Sequence, residues 1–352
     1  MTPQQPLAVG LVGAGRMGSF HAESLAHRIP GTRLAAVADP VPGAARRLAD
    51  RLGCPKVYTG IDAFLADPEI DAVVVVTPAR THADLVEAAA RAGKAVYCEK
   101  PMAVTLGEAD RAIAAAREAG VALQVGFNRR YDAGFRAAHD KVASGAIGTP
   151  QLLRSLTRDP KLVDPAPIPP WTIFLETLIH DFDALRYLNP GAAPVEVFAM
   201  ADALIRPDFK DRGLLDTAVV TIRFDNGAMA TAEANFQAVY GYDVRGEVFG
   251  SAGMLTVGEL RRTHLTSYGP DGATAECVTY DQDLFRDAYV AELADFADCV
   301  RTGRTPEVTG DDARAALSIA LAAVRSVTTG GPVRIDAVES ADAVAGPQGP
   351  SS

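Results

Sequence analysis

Short unbroken apolar runs alternate with helical spacing over the first third of the chain. The runs are LAVGLVG (7–13), RLAAVAD (33–39), DAVVVVTP (71–78), KAVYCEKP (94–101) and VALQVGFN (121–128). Between them lie Ala-rich stretches such as THADLVEAAARAG (81–93) and TLGEADRAIAAAREAG (105–120), with apolar residues three and four apart. Strands that are apolar throughout, alternating with helices, predict a parallel sheet covered on both faces. Gly93 and Gly120 close the two helical stretches, as left-handed end residues do.

The rhythm changes after about residue 130. A helix over 132–144 leads into TPQLLRSLTRD, which reads as a strand, and 158–172 is a Pro-rich loop. The segment FLETLIHDFDALRYL reads as a helix. From 194 to 280 the period becomes two: VEVFAMAD, TAVVTIRFDNG, AMATAEANF and DVRGEVFGSAGMLTV. DNG at 225–227 is a hairpin turn signal, and successive strands with short turns imply an antiparallel sheet. Two helices follow, near 286–302 and 310–328. The expected fold is α/β: an N-terminal Rossmann parallel sheet (1–128), then a C-terminal α/β domain with a mostly antiparallel open sheet (129–338). The small polar tail 339–352 reads as disordered. One face of the antiparallel sheet lacks enough helices to cover it, which predicts a homodimer or homotetramer.

Composition narrows the partners. A net charge of -10 argues against nucleic acid and acidic membrane surfaces. No apolar run is long enough to span a bilayer, and the start of the chain reads as a strand rather than a signal peptide. The cysteines Cys54, Cys98, Cys277 and Cys299 are far apart and form no CxxC, so neither a disulfide framework nor a zinc site is expected. That pattern suits a reducing compartment, the cytoplasm.

VGLVGAGRMGSFHA carries Gly13, Gly15 and Gly18 in G-x-G-x-x-G spacing, directly after a strand and opening a helix. The first glycine allows the tight turn, the second admits a pyrophosphate to the backbone, and the third lets helix and strand pack closely. The helix N-terminus offers unpaired N–H groups to the phosphates. The cofactor loop is thus Gly13, Gly15, Arg16, Met17 and Gly18. Asp39 follows Gly18 by 21 residues, at the end of the second strand. Its carboxylate suits a ribose 2′-hydroxyl and repels a 2′-phosphate, which favours NAD over NADP, although Arg46 and Arg47 lie a turn or two beyond.

The residue pattern also contains proton-handling candidates. Glu176, His180, Asp183 and Tyr187 recur at helical spacing, opposite Leu178, Phe182 and Leu185, so His180 is expected to point away from core packing. A carboxylate four residues earlier can take one imidazole N–H and leave the other nitrogen to accept a proton. Lys100 ends a strand at the carboxyl edge of the sheet, where open α/β folds bind ligands, and its charge would stabilise a developing alkoxide. Asp181 and Asp183 read as structural acids, and His21 as a packing residue.

GLVGAGRMG, VVVTPARTHADLVEAAARAGKAVYCEKPMA, VGFNRRYD and ETLIHDFDALRYL, in this order, resemble the glucose–fructose oxidoreductase/inositol dehydrogenase (Gfo/Idh/MocA) family. SLTRDP and AVYGYDVRGEVFGSAG are most similar to its inositol dehydrogenase branch. The resemblance runs from about residue 7 to 328. It implies NAD(P)-dependent oxidation of a ring hydroxyl of a cyclic polyol or sugar, or the reverse. It makes Lys100 catalytic and His180 the proton acceptor, with Glu176 assisting where the family usually has Asp. WTI at 171–173 replaces glycines found in many relatives, so the substrate pocket is expected to differ. Thr77, Pro78, His82 and Glu99 are assigned to the cofactor, and Arg130, Asp159, Tyr240 and Tyr242 to the substrate. Two alternatives stay open: a nucleotide-sugar or aminosugar 3-dehydrogenase (or a glycoside-cleaving NAD-recycling enzyme), and a non-catalytic NAD-binding sensor.

Overall fold

Six strands make the first sheet: β1 (Leu7–Val12), β2 (Thr32–Ala38), β3 (Lys56–Tyr58), β4 (Ala72–Val75), β5 (Ala95–Glu99) and β6 (Leu123–Gly126). They come from a computed structural model that describes residues 5–162, 164–258 and 260–342. All pairings are parallel, in the order β3-β2-β1-β4-β5-β6, and every residue of β1, β4, β5 and β6 is buried. That order reverses between β1 and β4, the point at which such sheets bind dinucleotides. The sequence pattern missed β3, which has only three residues, all half-buried. A strand that short carries no periodicity to read.

The chain divides into two units. Among the described residues the first is 5–128 together with Asp287–Arg314, and the second is Arg129–Arg286 with 315–342. The boundary expected at 128 is therefore incomplete. The helix Arg286–Thr302 returns to the first unit, where Leu293, Phe296 and Ala297 join Val9, Leu11 and Tyr97 in one core. Apolar spacing revealed the helix, but it carries no information about which sheet that face covers.

The second unit is built on β7 (Pro150–Arg158), β8 (Pro194–Asp202), β9 (Thr217–Phe224), β10 (Met229–Asn235), β11 (Asp243–Gly250), β12 (Gly253–Val257), β13 (Arg261–Gly269), β14 (Gly272–Cys277) and β15 (Val333–Arg334). Seven of these form a sheet in the order β12-β11-β7-β10-β9-β8-β15, and β13 and β14 pair separately. Only β7 and β10 run parallel, so the sheet is mostly antiparallel, as expected. The turn at 225–227 joins β9 to β10. Strict alternation of buried and exposed residues along β9 shows that one face packs and the other is open. On the open face Phe249, Leu152 and Met229 stand in one row across β11, β7 and β10, all exposed. The helix Ile335–Asp342 takes up the first part of the stretch read as a disordered tail. The remainder, 343–352, lies outside the described residues.

Candidate active site

In the first unit the glycine motif folds as its spacing requires. Gly13 has φ +104, and a Cβ there would overlap the Val76 carbonyl. A Cβ on Gly18 would overlap the Gly13 carbonyl, so the close helix–strand approach depends on its absence. Gly15 is different: it is the N-cap of the helix Arg16–His27, it has no side chain with which to cap that end, and nothing lies within 4 Å of where its Cβ would be. Open space in front of a helix N-terminus is what a pyrophosphate needs. Asp39 lies beside it, half-buried. Its Oδ2 accepts from the Ala14 N–H at 2.7 Å and its Oδ1 from the Val41 N–H at 2.8 Å. Each oxygen keeps a second lone pair for a ribose hydroxyl. Arg46, the nearby base, pairs with Asp50 at 3.5 Å. These residues fit NAD. Arg16 is exposed and Met17 half-buried at the same helix start.

Thr77 and Pro78 follow β4. The Thr77 hydroxyl lies 2.7 Å from that of Thr81. His82, assigned to the cofactor by the sequence, is 1% exposed, and both of its ring nitrogens face backbone carbonyls. Any influence on a cofactor is therefore exerted through the backbone it holds.

Lys100 follows β5, with a cis bond to Pro101. Beneath it lies a buried cluster. Glu99 Oε1 stands 2.6 Å from His21 Nε2, and Glu99 Oε2 accepts from the Lys100 N–H at 3.2 Å. The Tyr97 hydroxyl donates to Glu292 Oε1 at 2.6 Å. Burial disfavours charge on Glu99, but the bond from His21 and the Lys100 charge outweigh it and hold its carboxyl below the usual range. Glu292 is pushed the other way, first by burial and then by the Glu99 charge, well above the usual carboxylate range. The two carboxyls are thus pushed in opposite directions. The 2.6 Å contacts are hydrogen-bond lengths, which hold protons. Glu99, assigned to the cofactor by the sequence, thus has its carboxylate engaged inside the unit. Glu292 was not foreseen: it is 195 residues from Tyr97 in sequence, and nothing local marks it.

In the second unit the helix carrying His180 begins irregularly. Ile173–Thr177 forms a single π-turn, in which the Leu178 N–H donates to the Ile173 carbonyl, and Ile179–Tyr187 is α-helical. Such turns recur at functional sites. Trp171, just before it, has φ +64, a left-handed conformation that is costly for a bulky residue. Glu176 lies in the π-turn and His180 in the first α-turn, both half-buried.

Asp181 and Asp183, read as structural acids, are buried. Asp181 is 0% and Asp183 1% exposed, and Tyr187 is buried with them. The register shift of the π-turn separates Glu176 from the regular helix, and the two aspartates meet consecutive arginines. Arg129 donates to Asp181 at 2.7 Å, and the Ser155 and Thr157 hydroxyls donate to the same carboxylate at 2.5 and 2.7 Å. Arg130 forks onto Asp183 at 2.8 and 2.5 Å and lies over the Tyr187 ring. Arg130 was assigned to the substrate, and here its guanidinium braces the His180 helix. The sequence marked the adjacent arginines but gave no sign of which acid each would meet.

Desolvation pushes the Tyr242 phenol well above its ordinary range, and the Asp159 charge adds to this, so these two substrate candidates share one neighbourhood. Arg129 and Asp181 also act on that phenol, which places it beside the helix anchor. Tyr240 is more exposed, and its hydroxyl donates to Asp243 at 2.7 Å.

Known proteins extend this picture. The Gfo/Idh/MocA model of an oxidoreductase family with an NAD-binding Rossmann fold matches residues 7–127, and the GFO/IDH/MocA C-terminal domain model matches 135–256. The scyllo-inositol 2-dehydrogenase (NAD(+)) of Bacillus subtilis is 38% identical over 93% of this chain and 95% of its own length. The myo-inositol 2-dehydrogenase of Thermotoga maritima is 37% identical over 94% of this chain and 99% of its own. The crystal structure of scyllo-inositol dehydrogenase from Lactobacillus casei with bound cofactor NAD(H) and scyllo-inositol superposes with a TM-score of 0.87 at 26% identity, covering 94% of this chain and all of that one. With both models matched and relatives aligned over nearly their whole length, the chain belongs to the Gfo/Idh/MocA oxidoreductase family.

Proposed function

We propose that this protein is an NAD-dependent dehydrogenase that oxidises a ring hydroxyl of an inositol-like cyclic polyol, or of a sugar, to a ketone. The observation that carries the reading is a lysine, Lys100, following β5 in the same unit as a glycine-built helix start and Asp39. Relatives named as inositol 2-dehydrogenases supply the substrate class.

The glycine loop and Asp39 would hold NAD, which would supply the two-electron acceptor for the hydride of the carbinol carbon. The chain's own residues handle charge and protons. Lys100 polarises the hydroxyl and stabilises the alkoxide as it develops. His180 accepts the hydroxyl proton, and Glu176 orients the imidazole so that one nitrogen stays free to do so. Glu carries one methylene more than the family's usual Asp, and a side chain leaving a π-turn has the latitude to use it. Asp159, Tyr242, Tyr240 and Arg130 are the substrate-side groups. Arg130 acts there through the helix it braces.

The open face of the second sheet covers itself against a second copy of the chain, and the apolar row Phe249–Leu152–Met229 is the support for this. No helix among the described residues is long and apolar enough to cross a membrane. Four free cysteines, three of them buried, support a reducing cytoplasmic location.

The test is the absorbance of reduced nicotinamide, followed with a panel of inositols, hexoses and nucleotide sugars. Turnover of a cyclic polyol with NAD is the expected result. Binding of NAD, seen as a raised melting temperature, with no turnover of any panel member would favour the sensor reading instead.

A further inference from the structure

Trp171 is the single tryptophan of the chain, and among the described residues it is the only one other than glycine with a positive φ, +64. A left-handed backbone is costly for a bulky residue, and glycine adopts it freely. Backbone bonds hold the residue there. Its N–H donates to the Gly213 carbonyl at 2.9 Å. Its own carbonyl accepts from the Phe174 and Leu175 N–H groups at 2.9 and 3.0 Å, at the start of the turn that carries Glu176. Glycine would make the same three bonds without strain, so the backbone does not account for a tryptophan. The side chain must. The indole is half-buried, and its Cε2 lies 3.7 Å from where a Cβ on Gly213 would stand. Its ring N–H has no hydrogen-bond partner among the described residues.

Strand register places this residue with the substrate-side groups. Asp202, Thr217, Asn235, Arg158 and Asp243 pair in one row across β8, β9, β10, β7 and β11, at one end of the second sheet. Asp159 is the next residue after that row on β7, and Tyr242 the one before it on β11. Gly213, which holds Trp171, leads into β9 at the same end. The loops of this rim are tied together: the Phe236 N–H donates to the Asp216 carbonyl and the Ala238 N–H to that of Asp159. Thr157, just inside the row, donates to Asp181, the neighbour of His180. All of these residues lie in the second unit.

We propose that Trp171 is a specificity-determining residue of the substrate site, and that the face of its indole stacks on the C–H face of a cyclohexane polyol or pyranose ring. The inference rests on the reading that the protein oxidises such a ring. A saturated ring with equatorial hydroxyls shows only C–H groups above and below its plane. The electron-rich face of an aromatic ring attracts those weakly positive hydrogens. An axial hydroxyl on the stacked side would stand between the two rings. The strained backbone at Trp171 is thus maintained for a ligand contact that glycine cannot make.

Trp171→Gly is the direct test, because glycine takes this φ without strain, and the variant should melt close to wild type. Its KM for scyllo-inositol should rise about tenfold to a hundredfold, the range of losing an aromatic stacking partner. Most of the change should fall in KM rather than kcat, since the contact exists before and during the reaction. Trp171→Phe keeps an aromatic face and should recover most of the loss. Wild type should prefer scyllo-inositol, with every hydroxyl equatorial, to chiro-inositol, with an axial hydroxyl on each face, and Trp171→Gly should narrow that preference. A folded Trp171→Gly protein with wild-type KM and the same preference overturns the proposal. The wild-type protein gives a second reading that does not depend on any variant folding. Emission excited at the red edge of tryptophan absorption comes from Trp171 alone. With NADH present to prevent turnover, scyllo-inositol should change it saturably. No change at concentrations that calorimetry shows to bind overturns the proposal as well. Failure of the underlying reading looks different: there the wild-type protein turns over no ring polyol or sugar, whereas failure of this proposal leaves turnover intact.

Discussion

Around Lys100 the first unit buries an acid next to an acid; around His180 the second unit buries acids next to arginines. In the first case the Glu99 carboxyl is held below its usual range and the Glu292 carboxyl well above it, with His21 bonded to Glu99 and Tyr97 to Glu292. In the second, Asp181 and Asp183 each face a full guanidinium. The difference concerns protons. Arginine does not titrate in proteins, so the His180 helix is pinned by charges that no physiological pH removes. The acids under Lys100 are groups that do titrate, with their pKa values pushed apart. A strand-end lysine gets its position from the backbone, so its surroundings can share protons. A helix histidine must be held from the side, and buried ion pairs do that.

The comparison is broken or sharpened by substitutions in each unit. The largest effect should come from removing the reactive groups. Lys100→Ala and His180→Ala should each lower turnover by about a thousandfold, while calorimetry shows NAD still bound. A variant that retains turnover would free that unit of its assigned chemistry. Next in size is the anchor. Asp181→Ala leaves Arg129 buried without its partner, and denaturant unfolding should show a loss of roughly 3–5 kcal/mol. Adding Arg129→Met should recover part of it, since the cost arises from an uncompensated charge. A loss below about 1 kcal/mol, the value of a solvent-exposed pair, would mean the ion pair does not pin the helix.

The smallest effect is the most discriminating. The folded pKa of Glu292 lies above its unfolded value, so the folded state holds a proton that the unfolded chain releases as pH rises. Wild-type stability should therefore fall as pH climbs above the ordinary carboxylate range. Glu292→Gln keeps a neutral side chain of the same shape and removes that dependence. Its stability relative to wild type should grow by up to about 1.4 kcal/mol per pH unit over that range. Glu99 has the opposite sign: its depressed pKa contributes stability above the unfolded value, and that contribution is lost as pH falls through the folded value. A flat difference between wild type and Glu292→Gln would show that both acids are charged.

Much of this was legible because it is local. The strand runs, the glycine spacing with Asp39 and the Asp-Asn-Gly hairpin each fix a backbone shape by nearest neighbours alone. The His180 helix was harder. Its acids read as structural, and Asp181 and Asp183 are indeed buried, but their partners Arg129 and Arg130 come from about fifty residues earlier and were not foreseen. Periodicity sees polarity and cannot see a partner. The π-turn under Glu176 left no sequence trace either, and the return of Glu292 to the first unit depends on tertiary packing. What the pattern read correctly is backbone; what it missed is long-range pairing of buried charge.

The central claim is that hydride passes from a ring carbinol carbon to NAD. The direct measurement is turnover of an inositol deuterated at the carbon that becomes the ketone, followed by mass analysis of the nicotinamide and the solvent. The account predicts one deuterium in the reduced nicotinamide per ketone formed. Deuterium released into water, or ketone formed with no label on the nicotinamide, would contradict it.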